Sequence, residues 1–472
     1  MERAKKRIAI IGGGLSGLVA AYELNKRIQQ ESLPFEFILL EKNTDSGGMI
    51  RTFQTEDGPV DVGASSFVLR RGDIRPLLQE LGLENNIQYS IGNKMERFNN
   101  HEFVSNEKPT YHGLPLKIRD ILYDKELSTS EKLKVLYNYS FYSYRNSKDP
   151  LLSTKQFLDL RFCQEVSNLI AYPNYSENIY GSMELAPPSL LDPLLLELFE
   201  NNSSIEEKDF DKVMDGPGTE FTLVGGMSLL VNRLLEFVGK EVKTNQQLTH
   251  VERIEKGILL LTLNKKEEIR VGSIVSTVPV SELATITSEM QFISNLVPQT
   301  LNSSMGTILF QFPKGAFERT PNGYGFVVPK RSTYHITKGT FLNRKWPSFA
   351  GAKFDYLLID IGRRQEDTII RLPDEAILSI VEEELKEILG LKKPHKFARV
   401  YRWSQAVPHM TQEVRQTLSE NEERFKERFH SRGIFVGGNG LHGYGMQNAI
   451  REGITLANQA IEYMKSRNQI DE

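Results

Sequence analysis

The chain has 472 residues, 39% of them hydrophobic and 25% charged, and a formal net charge of −3 at pH 7. That length predicts two or three domains, and near-balanced charge without long blocks of either sign excludes nucleic acid as the main partner. A single cysteine, Cys163, excludes an intrachain disulfide and fits a reducing, cytoplasmic setting, and no apolar run reaches the roughly 18 residues of a spanning helix.

The first elements form a βαβ pattern. Arg7 to Ile11 reads as a buried parallel strand, Gly12-x-Gly14-x-x-Gly17 as a tight turn, and the following residues to about Gln30 as a helix. The basic start and apolar run resemble an export signal only until the three glycines, where a small-residue cleavage site would be needed. Gly12 makes the turn, Gly14 lets a pyrophosphate approach, and Gly17 lets the helix pack on the strand. The helix N-terminus at Leu15 and Ser16 offers N–H groups and a positive dipole end to phosphates. A second strand, Phe35 to Glu41, ends on an acid 24 residues beyond Gly17, near the ~20 at which a carboxylate meets ribose hydroxyls. These features predict a dinucleotide site.

The next residues select the dinucleotide. Glu41-Lys-Asn-Thr-Asp-Ser-Gly-Gly-Met-Ile-Arg51 resembles the extended fingerprint of the FAD-containing amine oxidase superfamily. The resemblance implies noncovalent FAD, with Lys42, Gly48, Met49 and Arg51 beside its ribose and pyrophosphate. Asp61-Val-Gly-Ala-Ser-Ser-Phe67 is similar to the stretch beneath the flavin, which implicates Gly63, Ala64 and Ser65. Gly225-Gly-Met-Ser-Leu-Leu-Val231 is similar to a family helix start, and Val242 to Ile254 to the strand region contacting adenine through Leu248. Ser276-Thr-Val-Pro279 ends the strand after it. Gly433-Ile-Phe-Val-Gly-Gly-Asn439 reads as a strand entering a turn at Gly438, and Gly443 onward as a helix to about Met464. By resemblance, the N–H of Met446 faces the pyrimidine end of the flavin.

Further along, Gly325-Phe-Val-Val-Pro-Lys-Arg331, Ile336-Thr-Lys-Gly-Thr340, Lys345-Trp-Pro347 and Arg402-Trp-Ser-Gln-Ala-Val-Pro408 resemble the porphyrinogen oxidases of haem biosynthesis, Gram-positive type. Trp403 then belongs to the cofactor's surroundings, and Arg71 aligns with a basic position facing a substrate propionate. The implied fold is α/β, with a Rossmann-like FAD-binding domain (1–70, 215–280 and 430–472), a mixed-sheet substrate domain (281–429) and a mainly helical subdomain (71–214). The implied reaction passes hydride from a tetrapyrrole, coproporphyrinogen III or protoporphyrinogen IX, to flavin, with dioxygen reoxidising it to give hydrogen peroxide. Ala171-Tyr-Pro-Asn-Tyr-Ser-Glu-Asn-Ile-Tyr-Gly181 lacks the glycine pair that relatives carry at the tetrapyrrole pocket. A divergent amine or polyene oxidoreductase, or a non-catalytic flavoprotein, therefore stays open.

Other chemistry has no anchor. There is no Gly-x-Ser-x-Gly elbow, and eight scattered histidines with one cysteine give no metal-ligand spacing. His442 reads as a loop side chain, Cys163 as a buried small hydrophobe, and Tyr172 and Tyr175 as packing. Tyr137 to Tyr144 and Leu190 to Phe199 read as a helical core, or as an apolar mouth receiving substrate from a membrane surface or a haem-pathway partner.

Overall fold

The computed structural model describes residues 6–69, 74–92, 95–105, 110–141, 152–175, 183–199, 217–255, 257–279, 301–330, 333–362, 367–409, 429–438 and 441–471, and single positions between some of these ranges. The nucleotide half is a five-stranded parallel sheet built from β1 (Arg7–Ile11), β2 (Glu36–Leu40), β3 (Val242–Lys243), β4 (Ser273–Ser276) and β5 (Ile434–Val436). Their spatial order is β3-β2-β1-β4-β5, with β1 central.

A central parallel strand must bury both faces, and the sequence of β1 does so by alternation. Ile8 and Ile10 point to three helices, α1 (Leu15–Gln30), α2 (Ser228–Val238) and α3 (Met446–Asp471). Ala9 and Ile11 point to an antiparallel meander of Leu248–Glu255, Ile258–Leu263 and Glu267–Val271. Ile8, Ala9 and Ile10 are fully buried, and each isoleucine so placed contributes about 1.5–3 kcal/mol. The α1 and α3 helices pack directly on each other, and α3 extends seven residues past the expected Met464.

The second body is a seven-stranded sheet. Its order is Phe397–His409, Leu301–Pro313, Phe354–Ile361, Ile336–Phe341, Gly325–Val327, Glu96–Asn99 and Glu102–Val104. The pairs are antiparallel except Gly325–Val327 with Glu96–Asn99. The helix Asp374–Leu389 covers one face, setting Ile377, Val381 and Leu385 against Ile308, Phe310 and Phe312. Gly390, left-handed at φ 63°, terminates it.

The described residues between 118 and 199 pack short helices around Phe157, Phe162, Val166, Ile170 and Leu195. Within the segment 71–214, short strands precede these helices. Ile87–Tyr89 pairs with Glu220–Leu223, Glu96–Asn99 and Glu102–Val104 close the edge of the large sheet, and Thr110–Tyr111 pairs with Leu114–Pro115. Strands of two to four residues carry too few alternations to be read against helix, and only long-range pairing fixes them.

Candidate functional site

A cavity of about 1110 Å³ runs from the C-terminal ends of the parallel strands, past the first turn of α1, to the open face of the seven-stranded sheet. That position, at the carboxyl ends of an α/β sheet, follows from the topology. The volume exceeds the 300–1,000 Å³ usual for one small ligand.

Two glycine loops form the narrow end. Gly12, at φ 101°, turns the chain out of β1, and a Cβ there would meet the Thr277 hydroxyl at 2.9 Å. The second loop is bonded to the first by Gly47 N donating to Gly13 O at 2.7 Å and by the bridge between Gly14 and Gly47. The α1 N-terminus begins at Gly14 with no side-chain cap, and Leu15 and Ser16 line the cavity. Uncapped N–H groups aimed into a cavity fit a phosphate, and Arg51 stands on the same wall. Glu41 is buried; its Oε2 accepts Gly13 N at 2.7 Å and its Oε1 accepts Asn43 N at 2.8 Å. Both contacts hold the carboxylate at the cavity edge, where Lys42, paired to Glu282 at 2.9 Å, also lies.

Gly63, Ala64 and Ser65 form the next stretch of wall. A Cβ on Gly63 would lie 2.0 Å from Met49 O and 2.9 Å from the Trp403 ring, so backbone and indole are in close contact. The Trp403 Nε1 is buried without a hydrogen-bond partner. Asp61 lies just behind and closes the α2 N-terminus, accepting Met227 N at 2.9 Å and Thr52 Oγ1 at 2.5 Å. Burial pushes its carboxyl up to about 7, against the pull of those two donors.

Gly48, Met49, Leu248 and Met446 also line the cavity. Gly17 and Gly438 stand behind the wall. Gly17 faces Gly12 O, which a Cβ would strike at 1.9 Å, and Gly438 N donates to Glu452 Oε2 at 2.9 Å. Glu452 was not singled out in the sequence, yet its buried carboxylate also accepts Ser16 Oγ at 3.1 Å and faces His442 Nδ1 at 2.9 Å. It joins the first turn of α1 to the turn before α3. His442 itself is mostly exposed. Arg71 lies outside the described residues, as do 176–181 of the divergent stretch and 142–144 of the aromatic run.

The broad end carries charged groups that the motifs did not reveal as partners. Lys345 Nζ contacts Glu220 Oε2 at 2.7 Å, and Glu220 also accepts Ser66 Oγ at 2.7 Å and Tyr324 OH at 3.1 Å. Burial acts to raise the Glu220 carboxyl, but Lys345 and Ser66 outweigh it and hold the group at about 2. Burial pulls the Lys345 ammonium down. Arg97 is buried between Asp124 at 3.0 Å and Glu126 at 2.7 Å.

Tyr172, Tyr175 and Leu195 are buried in the helical cluster, and Tyr175 OH donates to Asp192 at 2.9 Å. Cys163 is buried there too, its thiol raised to about 11 by desolvation, which leaves it unreactive. Among the described residues there is no metal-ligating cluster and no helix long and apolar enough to cross a membrane.

Comparison with known proteins agrees with this architecture. The model of the family "Flavin containing amine oxidoreductase" matches residues 15–461. The chain is 25% identical to the coproporphyrinogen III oxidase of Bacillus subtilis, over 99% of this chain and 100% of that one. It is 22% identical to protoporphyrinogen oxidase 2 of Arabidopsis thaliana, over 98% and 95%. A crystal structure from Exiguobacterium sp. 255-15, of a protein assigned as a protoporphyrinogen oxidase, superposes with TM-score 0.79 at 20% identity, covering 97% and 99%.

Proposed function

Because the chain belongs to the flavin containing amine oxidoreductase family, and is thereby a flavin-dependent oxidoreductase, we propose that it is an FAD- and oxygen-dependent porphyrinogen oxidase of haem biosynthesis. The observation carrying this reading is the end-to-end match to the Bacillus subtilis coproporphyrinogen III oxidase, which takes in both the nucleotide half and the large sheet. The cavity supports it by offering a phosphate cradle at one end and a broad, charged chamber at the other.

When bound, noncovalent FAD would supply the hydride acceptor and the route of electrons to dioxygen, with hydrogen peroxide as product. The chain's own residues bind and orient. The N–H groups at Leu15 and Ser16, with Arg51, hold the pyrophosphate, and Glu41 holds the ribose. Gly63 to Ser65 and Trp403 would hold the ring, and the helix that Met446 opens would offer it a positive end. Residues 1–70, 215–280 and 430–472 serve the cofactor, and 281–429 with 71–214 the tetrapyrrole, whose propionate meets Arg71. The work is cytoplasmic, with the exposed Leu122, Tyr123, Leu133 and Tyr137 available for contact with a membrane surface or pathway partner.

The test is turnover. Flavin-loaded protein mixed under air with coproporphyrinogen III or protoporphyrinogen IX should develop porphyrin fluorescence. No rise above autoxidation with either substrate refutes the reading.

A further inference from the structure

We infer that Asp57 is a positioning residue, which from the tip of a hairpin holds the nucleotide wall of the cavity in register with the sheet wall. This role rests on the porphyrinogen reading for its substrate.

The hairpin joins Thr52–Thr55 to Gly58–Asp61, paired from Thr52 with Asp61 to Thr55 with Gly58, and turns through Glu56 and Asp57. Both of its ends run into the nucleotide half. Arg51 precedes it and Gly63 to Ser65 follow it, all on the cavity wall. The base is fixed there by three bonds. Val62 N donates to Arg51 O at 2.9 Å, Ser228 N to Thr52 Oγ1 at 3.0 Å, and Met227 N to Asp61 Oδ1 at 2.9 Å.

The tip is tied to the other body. Asp57 accepts the Lys353 N–H at 3.1 Å, the Phe354 N–H at 3.4 Å and the Tyr356 hydroxyl at 3.0 Å. Beside it, Glu56 accepts Gln311 Nε2 at 2.7 Å. Tyr356 stands near the start of Phe354–Ile361. Leu358 and Asp360, two and four residues on, share its face of the strand and line the cavity. Anchor and sheet wall therefore lie on one strand, about 7 and 13 Å apart at ~3.3 Å per residue.

Apolar packing already joins hairpin and sheet. Val60 and Val62 are buried in one cluster with Leu309, Leu342, Phe349 and Tyr356, and Phe53 stacks on Phe397 at 5.3 Å. Such contact is non-directional and fixes no register. A carboxylate bonded to three donors at the start of one strand is directional. Adhesion thus comes from the valines and Phe53, and alignment from Asp57. Alignment is what hydride transfer demands, since the reacting atoms must lie about 3–3.5 Å apart and an error of about 1 Å costs on the order of 100-fold.

The test is anaerobic stopped-flow reduction of the flavin-loaded protein by coproporphyrinogen III or protoporphyrinogen IX, taken to saturation. In Asp57→Ala the limiting rate should fall about tenfold. Flavin content should match the wild type. The half-saturating substrate concentration, and the Kd of the product porphyrin read by fluorescence quenching, should stay within about threefold, because the binding surfaces themselves are untouched. Tyr356→Phe removes one of the three donors and keeps the ring. Its limiting rate should fall about threefold, and it decides the matter if the alanine variant folds poorly. Unchanged limiting rates in both variants, or losses confined to flavin content and Tm, overturn the role of Asp57 while wild-type reduction leaves the porphyrinogen reading standing. If neither porphyrinogen reduces the wild type, both fall.

Discussion

Replacing Lys345 by methionine removes one half of a buried ion pair and leaves the other half in place. Glu220 is held at about 2 against an ordinary 4.5, which corresponds to about 3 kcal/mol of differential stabilisation of its charged form. Burial disfavours the Lys345 ammonium at the same time, so the pair as a whole is worth much less than that figure. The two statements together predict strong non-additivity. Lys345→Met should cost about 3 kcal/mol at pH 7, because a buried carboxylate remains without its counter-ion and with only the hydroxyls of Ser66 and Tyr324 donating to it, whereas Lys345→Met/Glu220→Gln should cost less than about 2 kcal/mol. The sign with pH also follows. In the wild type the depressed carboxyl contributes stability that is present above its unfolded value near 4.5 and is lost as pH falls through about 2. In Lys345→Met the same carboxyl is raised by burial, so the variant gains stability as pH falls from 7 towards 4.5, and its deficit against the wild type narrows. Urea unfolding followed by tryptophan fluorescence reads the right unit. The chain has two tryptophans; Trp346 adjoins Lys345, and Trp403 lies on the seven-stranded sheet. A coupling below 1 kcal/mol, or a deficit that does not change between pH 7 and 4.5, would refute the reasoning.

Gly63→Ala places a methyl 2.0 Å from Met49 O, and a backbone oxygen cannot yield that far. The ratio of flavin to protein absorbance after purification should fall by more than half, and a full complement would contradict the proposed wall. Glu452→Ala uncouples Ser16, Gly438 and His442; titration of apoprotein with FAD should show affinity lowered about tenfold, on the scale of one or two buried hydrogen bonds, while His442→Ala stays within twofold. Asp61, raised to about 7 by burial, contributes stability that is fully present below its unfolded value near 3.8 and lost as pH rises through about 7. Asp61→Asn should therefore flatten the Tm against pH between 4 and 7, and an unaltered slope would show that the group does not titrate there.

What could be read from the sequence was whatever a local pattern encodes. Ile8 to Ile11 alternate, Gly12, Gly14 and Gly17 are spaced for one turn, and Glu41 follows at the distance one helix and one strand require. The unread parts depend on pairing between distant segments. Glu220 and Lys345 are 125 residues apart, and Thr307, Lys338 and Asp360 become neighbours only through strand register. The strands within residues 96–104 are three and four residues long, too short to carry a periodicity that could be read locally. Glu452 lies inside the helix expected from Gly443 to about Met464, but nothing in that stretch signals a carboxylate turned inward to Ser16.

The strand order of the nucleotide half bears on how the chain matures. The β1 strand is the first to be synthesised, yet one flank of it is empty until β4 arrives some 265 residues later, and β5 and α3 come later still. Pairings of such long separation are slow to close, and during ribosomal synthesis the cradle has no far wall until residues beyond Met446 have emerged. On the proposed reading, cofactor capture is a late event in biogenesis. A chain cut short before α3 would retain the glycine motif intact in sequence and still be unable to keep a dinucleotide.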